Sequence, residues 1–288
     1  MSQIRKAIIP VGGMGTRFLP ASKAQPKEML PVVDKPVIQY IVEEAVKSGI
    51  EEIVFVTAIG KRAIEDHFDR NFELEYRLEQ KKKVKELKEV SAIGRLAKFA
   101  FVRQHKPMGD GHAVLSALPF VDAHEPVAIL FGDDIIDAKI PALKQLMQVY
   151  DKYQDPVIAL QAVPKNEVSK YGVIGGHQVT DKIWEINQFI EKPSPAKAPS
   201  NLAVVGRYII TPEIFNILQK QKPGPDGEIR LADAFAAYLK QKRALYGRIF
   251  DGTRYDCGNK LGFLRAQIEL GKKHPEIGKE FKKYLKTI

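Results

Sequence analysis

The sequence predicts an α/β fold in which helices cover both faces of a mixed, mainly parallel sheet. Short apolar or β-branched segments alternate, in the first half of the chain, with segments whose apolar residues recur at helical spacing. Further on, short strand-like segments are separated only by turn residues, which predicts small antiparallel additions to the sheet. From Leu261 onward the chain is basic with helical spacing, which predicts a C-terminal helix. No linker or internal repeat interrupts this order, so we expect a single domain over residues 1–288.

Each predicted element follows from its local pattern. The strands of the first half are short and rich in β-branched residues: 7–11, 53–57, 99–103, 127–131 and 157–163. The helices between them have apolar residues three and four apart: 36–47, 63–68, 73–96, 112–118 and 141–150. The second half adds strand-like segments at 171–176, 183–191, 202–210 and 244–250, and helices at 212–219 and 231–242.

Composition excludes several classes of protein. Hydrophobic residues make up 44% and charged residues 28% of the chain, as in ordinary globular proteins. The single cysteine, Cys257, excludes a disulfide framework and fits a reducing compartment. No stretch approaches the roughly 20 apolar residues that cross a bilayer, so we expect a cytoplasmic protein without a membrane partner.

The net charge of +10 suits anionic ligands. Much of the excess lies in two segments, 81–85 and 272–286, whose lysines are at helical spacing and have glutamates within or beside the segment, at 79, 86, 89, 276 and 280. We interpret these segments as solvated helix faces, and we expect no nucleic-acid partner.

A glycine-rich loop follows the first predicted strand. It contains three glycines and two basic residues: Gly12, Gly13, Gly15, Arg17 and Lys27. Glycines let the backbone bend tightly and bring its N–H groups to a ligand oxygen, and the two cations can neutralise phosphate. Phe18 replaces the third glycine of the dinucleotide-binding motif, and the loop lacks the Gly-Lys-Ser/Thr of a Walker loop. A plain structural turn would explain the glycines but not the cations, so we predict a polyphosphate site.

Two carboxylates follow the predicted strand 127–131. Asp133 and Asp134 stand where ligands gather in open α/β sheets, beyond the carboxyl ends of the strands. A carboxylate there can hold Mg²⁺, which binds substrate phosphates together with one or two protein carboxylates. An ordinary Gly-Asp-Asp turn is the alternative.

The segment GGMGTRFLPASKAQPKEMLPVVDKP resembles the signature of the sugar-1-phosphate nucleotidyltransferases. Its Pro-Lys-Glu-Met-Leu-Pro and Asp-Lys-Pro forms are similar to those of the uridylyltransferases in this family, and the similarity extends nearly to residue 265. The resemblance implies a Rossmann-like fold of the nucleotide-diphospho-sugar transferase type. It further implies a nucleotide-binding half at 1–135, a sugar-phosphate half at 136–260, a helical tail at 261–288, and assembly as a homodimer or homotetramer.

The resemblance also implies a reaction, transfer of a uridylyl group from UTP to glucose 1-phosphate, with Mg²⁺ as cofactor. Arg17 and Lys27 would hold the triphosphate and the departing pyrophosphate, and Lys192 would hold the attacking phosphate. Asp133 would be a metal ligand. Because the sugar phosphate is already ionised at neutral pH, we expect no general base.

Four further positions take roles from the resemblance. Asp134 would face the sugar, together with Glu191 of the Glu-Lys-Pro motif and Gly172 of the Tyr-Gly-Val motif. Asp256, in Tyr-Asp-Cys-Gly, is a candidate second metal ligand. An N-cap of the helix predicted to start near Leu261 is an equally good interpretation of Asp256.

Gln104 and Gly109 align with the family segment that contacts the uracil base. A glutamine side chain offers both a donor and an acceptor, as the imide edge of uracil requires. A glycine-rich helix start is the alternative. The segment departs from the family pattern at Asp110, where an apolar residue is common, and Val11-Gly12 replaces the usual Ala-Ala.

Two other functions are alternatives to uridylyl transfer. A glucose-1-phosphate thymidylyltransferase would share the fold, but its loop lacks the Pro-Lys-Glu-Met-Leu form seen here. A non-catalytic nucleotide-sugar sensor need not retain the whole charged set. Both alternatives are distinguished by the nucleotide that the protein turns over.

Overall fold

The structure of the chain, a computed structural model, describes residues 4–122 and 124–288. Within these residues the strands are, in chain order, β1 (Lys6–Pro10), β2 (Pro31–Val32), β3 (Lys35–Pro36), β4 (Glu52–Thr57), β5 (Lys98–Arg103), β6 (Val127–Leu130), β7 (Asp134–Asp137), β8 (Val157–Ala162), β9 (Gly172–Thr180), β10 (Ile183–Glu191), β11 (Leu202–Ile210), β12 (Tyr246–Ile249) and β13 (Thr253–Asp256). The helices are α1 (Val37–Ser48), α2 (Arg62–Phe68), α3 (Phe72–Gln80), α4 (Val84–Ile93), α5 (Asp110–Ser116), α6 (Ala142–Tyr153), α7 (Pro212–Lys220), α8 (Leu231–Lys240), α9 (Lys260–Lys273) and α10 (Gly278–Tyr284).

One sheet runs through both halves of the chain, in the order β5-β4-β1-β6-β11-β8-β12-β10-β9. Parallel pairings join β5, β4, β1 and β6, and also β8 and β12. The other pairings are antiparallel. The predicted mixed α/β sheet is confirmed. Its antiparallel share is larger than expected, because β11 runs antiparallel to both of its main neighbours, β6 and β8.

Helices cover both faces of this sheet, as the sequence predicts. Successive residues of a strand point to opposite faces, and in β1 Ile9 joins one buried cluster while Ile8 joins the other. Helices α1 and α6 pack on the first face, where Ile41 is fully buried. Helices α5, α7 and α8 pack on the second, where Phe235 is fully buried. The sheet therefore has a hydrophobic core on each side.

Two small two-stranded sheets lie beside the main sheet in the described residues. Strands β2 and β3 pair with each other directly after the glycine-rich loop. Strands β7 and β13 also pair, with Asp134 opposite Asp256. The sequence patterns did not predict either small sheet, because strands of two to four residues are too short to show a period.

Two helix predictions differ from the structure. The single helix predicted over 73–96 is wrong, because α3 and α4 are separated by a turn in which Lys82 has the left-handed φ of 53°. The tail likewise forms two helices, α9 and α10, because Pro275 lies two residues after the end of α9 and cannot continue its hydrogen bonding. Every helix in the described parts of the chain is too short or too polar to cross a membrane.

Candidate active site

The glycine-rich loop leaves the carboxyl end of β1 and folds into three short 3₁₀ turns. Gly15 has a left-handed φ of 66°, which only glycine adopts readily. A Cβ at Gly15 would also lie 3.2 Å from Cβ of Lys27, so the glycine lets the lysine stem pack against the loop. Ser22 Oγ donates a 2.7 Å hydrogen bond to the carbonyl of Gly15. These contacts bring Lys27 next to the backbone predicted to bind phosphate.

The ammonium group of Lys27 donates a 2.6 Å hydrogen bond to Oδ2 of Asp133. Burial would lower the pKa of Lys27, but Asp133 and Glu28 outweigh it and the pKa is raised. Burial would raise the pKa of Asp133, but the charge and hydrogen bond of Lys27 outweigh it and the pKa is lowered. Both groups are therefore charged at neutral pH. Arg17 is exposed on the same loop, and its positive charge acts to lower the pKa of Lys27.

A buried ion pair that the sequence did not reveal lies under the loop. Lys61 Nζ is 2.7 Å from Oε2 of Glu28, and both side chains are almost completely buried. Burial raises the pKa of Glu28, and the charges of Lys61 and Lys27 oppose this. The ion pair joins two segments: the 3₁₀ turn that contains Lys27, and the loop that follows β4. Lys61 directly follows Gly60, three residues after the predicted strand 53–57, and this position was the available signal.

Asp133 and Asp256 face the same small space. A Cβ at Gly258 would lie 2.8 Å from Oδ2 of Asp133 and 2.9 Å from Oδ1 of Asp256, so only a glycine fits between them. Among the described residues, no group of three or more His, Cys, Asp or Glu side chains is arranged to hold a metal ion. A pair of carboxylates fits Mg²⁺, which commonly completes its coordination with waters and substrate phosphates.

The alternative interpretation of Asp256 as a helix cap is wrong. Asn259 occupies the N-cap position of α9, and its Oδ1 accepts a 2.8 Å hydrogen bond from the Gly262 amide. Oδ1 of Asp256 accepts instead from the Gly258 amide, at 2.9 Å. This short turn holds the Asp256 carboxylate toward Asp133.

A fully buried arginine holds the turn that contains Asp133 and Asp134. Arg207 of β11 forms an ion pair with Glu44 of α1, with 2.7 Å between Nη2 and Oε2. The same guanidinium donates to the carbonyls of Phe131, at 3.3 Å, and Asp134, at 2.7 Å. It therefore holds the turn at both ends. The sequence signal was an arginine in an otherwise apolar strand, which requires a buried partner.

Asp134 is joined to the predicted sugar side through Arg254, which no sequence pattern indicated. Arg254 donates to both carboxylate oxygens of Asp134, at 2.8 and 3.1 Å. Its guanidinium lies 5.3 Å from the centre of the Tyr171 ring. The Tyr171 carbonyl accepts a 3.0 Å hydrogen bond from the Lys192 amide. One chain of contacts thus connects the acidic turn to the Glu-Lys-Pro segment.

Two of the three predicted sugar-side residues, Gly172 and Glu191, lie together at the ends of β9 and β10. Gly172 is opposite Glu191, and a Cβ at Gly172 would lie 3.0 Å from Oε2 of Glu191. Burial raises the pKa of Glu191, and Lys192 opposes this. The Lys192 side chain is 65% exposed, with Nζ 3.8 Å from Oε1 of Glu191. Its ammonium is thus accessible to an anionic ligand.

The predicted base-contacting residues also lie together. Gln104 Nε2 donates a 3.1 Å hydrogen bond to the carbonyl of Gly109 and lies 2.9 Å from Nδ1 of His112. Its Oε1 is 3.3 Å from the position that a Cβ of Gly12 would take. Gly109 has a left-handed φ of 93°. The glutamine amide is therefore held against the glycine-rich loop.

A cavity of about 360 Å³ collects residues predicted from three separate segments. It is lined by the loop, base and metal candidates Gly12, Gly13, Lys27, Gln104, Gly109 and Asp133. A neighbouring cavity of about 380 Å³ shares Gly12, Gly13 and Gln104 and extends to Lys61. The other candidates lie outside both linings: Gly15, Arg17, Asp134, Gly172, Glu191, Lys192 and Asp256. A groove of about 450 Å³ lies between α7 and α8, and none of the predicted site residues lines it.

Comparison with known proteins identifies the family of the chain. A family model described as Nucleotidyl transferase matches residues 6–273. The chain is similar to the UTP–glucose-1-phosphate uridylyltransferase YngB of Bacillus subtilis, with 49% identity over 286 residues, 99% of this chain and 96% of that protein.

Two solved structures are also similar to the chain. A UDP-glucose pyrophosphorylase complexed with UDP-glucose has a TM-score of 0.86 and 42% identity, covering 94% of this chain and 100% of that one. A UTP-bound UGPase from Acinetobacter baumannii has a TM-score of 0.91 and 41% identity, covering 98% and 99%. The chain belongs to the nucleotidyl transferase family.

Proposed function

We propose that this protein transfers the uridylyl group of UTP to glucose 1-phosphate, giving UDP-glucose and pyrophosphate. The observation that carries the proposal is the 360 Å³ cavity, in which the glycine-rich loop, Lys27, the Gln104–Gly109 edge and Asp133 meet. The similarity to uridylyltransferases over nearly the whole chain supports UTP over dTTP as the substrate.

The reaction joins two polyanions, so its main requirement is alignment and neutralisation of charge. An oxygen of glucose 1-phosphate forms a bond to the α-phosphorus of UTP. The bond from this phosphorus to the bridging oxygen of the β-phosphate breaks, and pyrophosphate leaves with the electron pair. The attacking oxygen is already ionised at neutral pH, so the step needs neither a general base nor a covalent enzyme intermediate.

The loop and its cations would hold the nucleotide. Backbone N–H groups at Gly12, Gly13 and Gly15 would bind phosphate oxygens, with Arg17 and Lys27 neutralising the triphosphate and the pyrophosphate product. The Gln104 amide and the Gly109 backbone would contact the uracil edge. Gly13 and Arg17 are exposed, and Gly12, Gly15 and Lys27 are partly exposed, so the loop is accessible to a polyanion.

The sugar phosphate would lie toward β9 and β10. The exposed ammonium of Lys192 would hold its phosphate, and the Glu191 carboxylate would accept hydrogen bonds from sugar hydroxyls. Gly172 leaves space for a close approach of the hexose. Asp134 would contribute to this side through the turn that it shares with Asp133.

Asp133 and Asp256 would hold Mg²⁺. When bound, the ion would neutralise phosphate charge and orient the reacting groups. The continuous sheet supports treating residues 1–288 as one domain. A homodimer or homotetramer, implied by the family resemblance, and a cytoplasmic location, suggested by the lone buried Cys257, are parts of the same proposal.

The experiment is pyrophosphate release with glucose 1-phosphate and Mg²⁺, offering UTP, dTTP, ATP, CTP and GTP in turn. We expect rapid release with UTP. Equal or faster release with dTTP would favour the thymidylyltransferase. No release with any nucleotide, from folded protein that still binds UDP-glucose, would favour the non-catalytic sensor.

A further inference from the structure

The loop that carries Gly109 is paired with a distant segment of the chain. The Ile229 amide donates a 2.7 Å hydrogen bond to the Met108 carbonyl, and the Gly111 amide donates one of 2.9 Å to the Ile229 carbonyl. A Cβ at Gly109 would lie 2.6 Å from the Ile229 carbonyl oxygen. The two segments therefore approach so closely that only glycine fits at this point.

Asp110 fastens this contact. Its Oδ1 accepts hydrogen bonds from the Gly111 amide, at 2.7 Å, and from the Leu231 amide, at 3.0 Å. Leu231 is the first residue of α8, and within the described residues the N-cap Arg230 makes no side-chain cap. The first amides of a helix lack partners inside the helix. Asp110 supplies one from 121 residues away.

The surroundings of Asp110 make it hard for water to replace its hydrogen bond to the Leu231 amide. Asp110 lines the 360 Å³ cavity but is only partly exposed, and water has limited access to the two amides. Burial raises the pKa of Asp110, and the Leu231 and Gly111 amides and the charge of Arg230 oppose this. An apolar side chain at this position would leave the Leu231 amide without its acceptor.

Asp110 is also connected to the residues that contact the base in the proposed function. It directly follows Gly109, whose carbonyl accepts the Gln104 hydrogen bond. A displacement of the 109–111 backbone would therefore move the acceptor that orients the Gln104 amide. The path runs from the start of α8 through Asp110 and Gly109 to Gln104.

We propose that Asp110 is a positioning residue for nucleotide selection, which ties the base-contacting loop to the N-terminus of α8 and so sets the orientation of the Gln104 amide. The proposal rests on the proposed function, because it assigns Gln104 and Gly109 to the base. It gives a role to the position at which this chain departs from the apolar residue common in its family.

The test compares Asp110→Leu with Asp110→Asn. Asparagine keeps an oxygen that can accept both amide hydrogens, whereas leucine keeps only the volume. By calorimetry with Mg²⁺, we expect Asp110→Asn to bind UTP within about 2-fold of the wild type, and Asp110→Leu about 10-fold more weakly, the usual scale for losing a hydrogen bond to a charged group. The KM for UTP should rise accordingly, with kcat and the KM for glucose 1-phosphate little changed, and preference for UTP over dTTP should fall.

A second variant separates positioning from stability. In Asp110→Leu, the change Arg230→Ser gives α8 a cap of its own without restoring the tie to the loop. We expect the double variant to recover thermal stability but not UTP affinity. Asp233→Leu removes an exposed acid from the first turn of α8 and serves as the matched control, with wild-type affinity expected.

Amide hydrogen exchange measures directly whether the hydrogen bonds to Asp110 are present. Exchange at Leu231 and Gly111 should accelerate in Asp110→Leu and not in Asp110→Asn. Wild-type exchange or wild-type UTP affinity in a folded Asp110→Leu protein would overturn the proposal, as would recovery of UTP affinity by Arg230→Ser. If the wild type binds UTP but releases no pyrophosphate, the proposed reaction fails while the positioning role stands. If it binds no UTP, both fail.

Discussion

Lys27 and Asp133, 106 positions apart in the chain, are joined by a 2.6 Å hydrogen bond between ammonium and carboxylate. The bond connects the glycine-rich loop after β1 to the turn after β6. The cation proposed for the triphosphate and the anion proposed for the metal therefore neutralise each other in the free protein. Substrate and Mg²⁺ would take over both charges together, which favours their joint binding.

Replacing Lys27 by Met should lower turnover about 10²- to 10³-fold, the usual effect of removing one group that stabilises transition-state charge. The measurement is pyrophosphate release at saturating UTP. Lys47→Met is the control, because Lys47 is an exposed lysine of α1 distant from the loop. Turnover in Lys27→Met at the wild-type rate would refute the assignment.

The same pair predicts how stability depends on pH. Because the pKa of Asp133 is lowered by folding, its stabilisation is present above the unfolded value of about 3.9 and is lost as pH falls through the folded value. Because the pKa of Lys27 is raised, its stabilisation is present below the unfolded value of about 10.4 and is lost as pH rises through the folded value.

The difference in unfolding free energy between wild type and Lys27→Met should therefore be constant between about pH 5 and pH 9 and should shrink in acid. Urea denaturation across this pH series measures it. A difference that grows as the pH falls below 4 would contradict the assigned pair.

Lys192→Ala should lose at least about 10²-fold in turnover while keeping the melting temperature of the wild type. The side chain is 65% exposed, so its removal creates no cavity. Lys170→Ala is the matched control, because it removes a lysine that is 61% exposed from the neighbouring segment. Equal activity of the two variants would show that Lys192 does not hold the sugar phosphate.

Arg207→Met should lower the free energy of unfolding by about 3 to 5 kcal/mol, because it removes the ion-pair partner of the buried Glu44 carboxylate. Adding Glu44→Leu should recover much of this loss. Activity should not recover with stability, since the carbonyls of Phe131 and Asp134 still lack their donor. Chemical denaturation and turnover, measured on both variants, test the two statements; recovered turnover would exclude a positioning role for Arg207.

Asp256→Asn should raise the Mg²⁺ concentration needed for half-maximal activity by about 10-fold or more, because a neutral amide is a weaker ligand than a carboxylate. Asp137→Asn, in the same β7–β13 strand pair but at its other end, should leave the requirement unchanged. Magnesium titrations of activity distinguish the two positions. An unchanged requirement in Asp256→Asn would remove this residue from the metal site.

Local patterns were sufficient to predict most of the helices and strands. Period-two and period-3.6 spacing predicts strands and helices, because each depends on which face of a few neighbouring residues is buried. The clustering of Gly12, Gly13 and Gly15 before Arg17 predicts a phosphate loop for the same local reason. Boundaries failed where a turn interrupts a helical pattern, as at Lys82.

The contacts that hold the site rigid could be identified only once the chain was folded. Arg207 and Glu44 are 163 positions apart, Arg254 and Asp134 are 120 apart, and Asp110 and the Leu231 amide are 121 apart. A charged residue in an apolar segment indicates that a buried partner is needed, but the identity of that partner depends on which elements pack together. Which elements pack together is determined by the burial of apolar surface on both faces of the sheet. This burial involves the whole chain, so no single segment of the sequence encodes it.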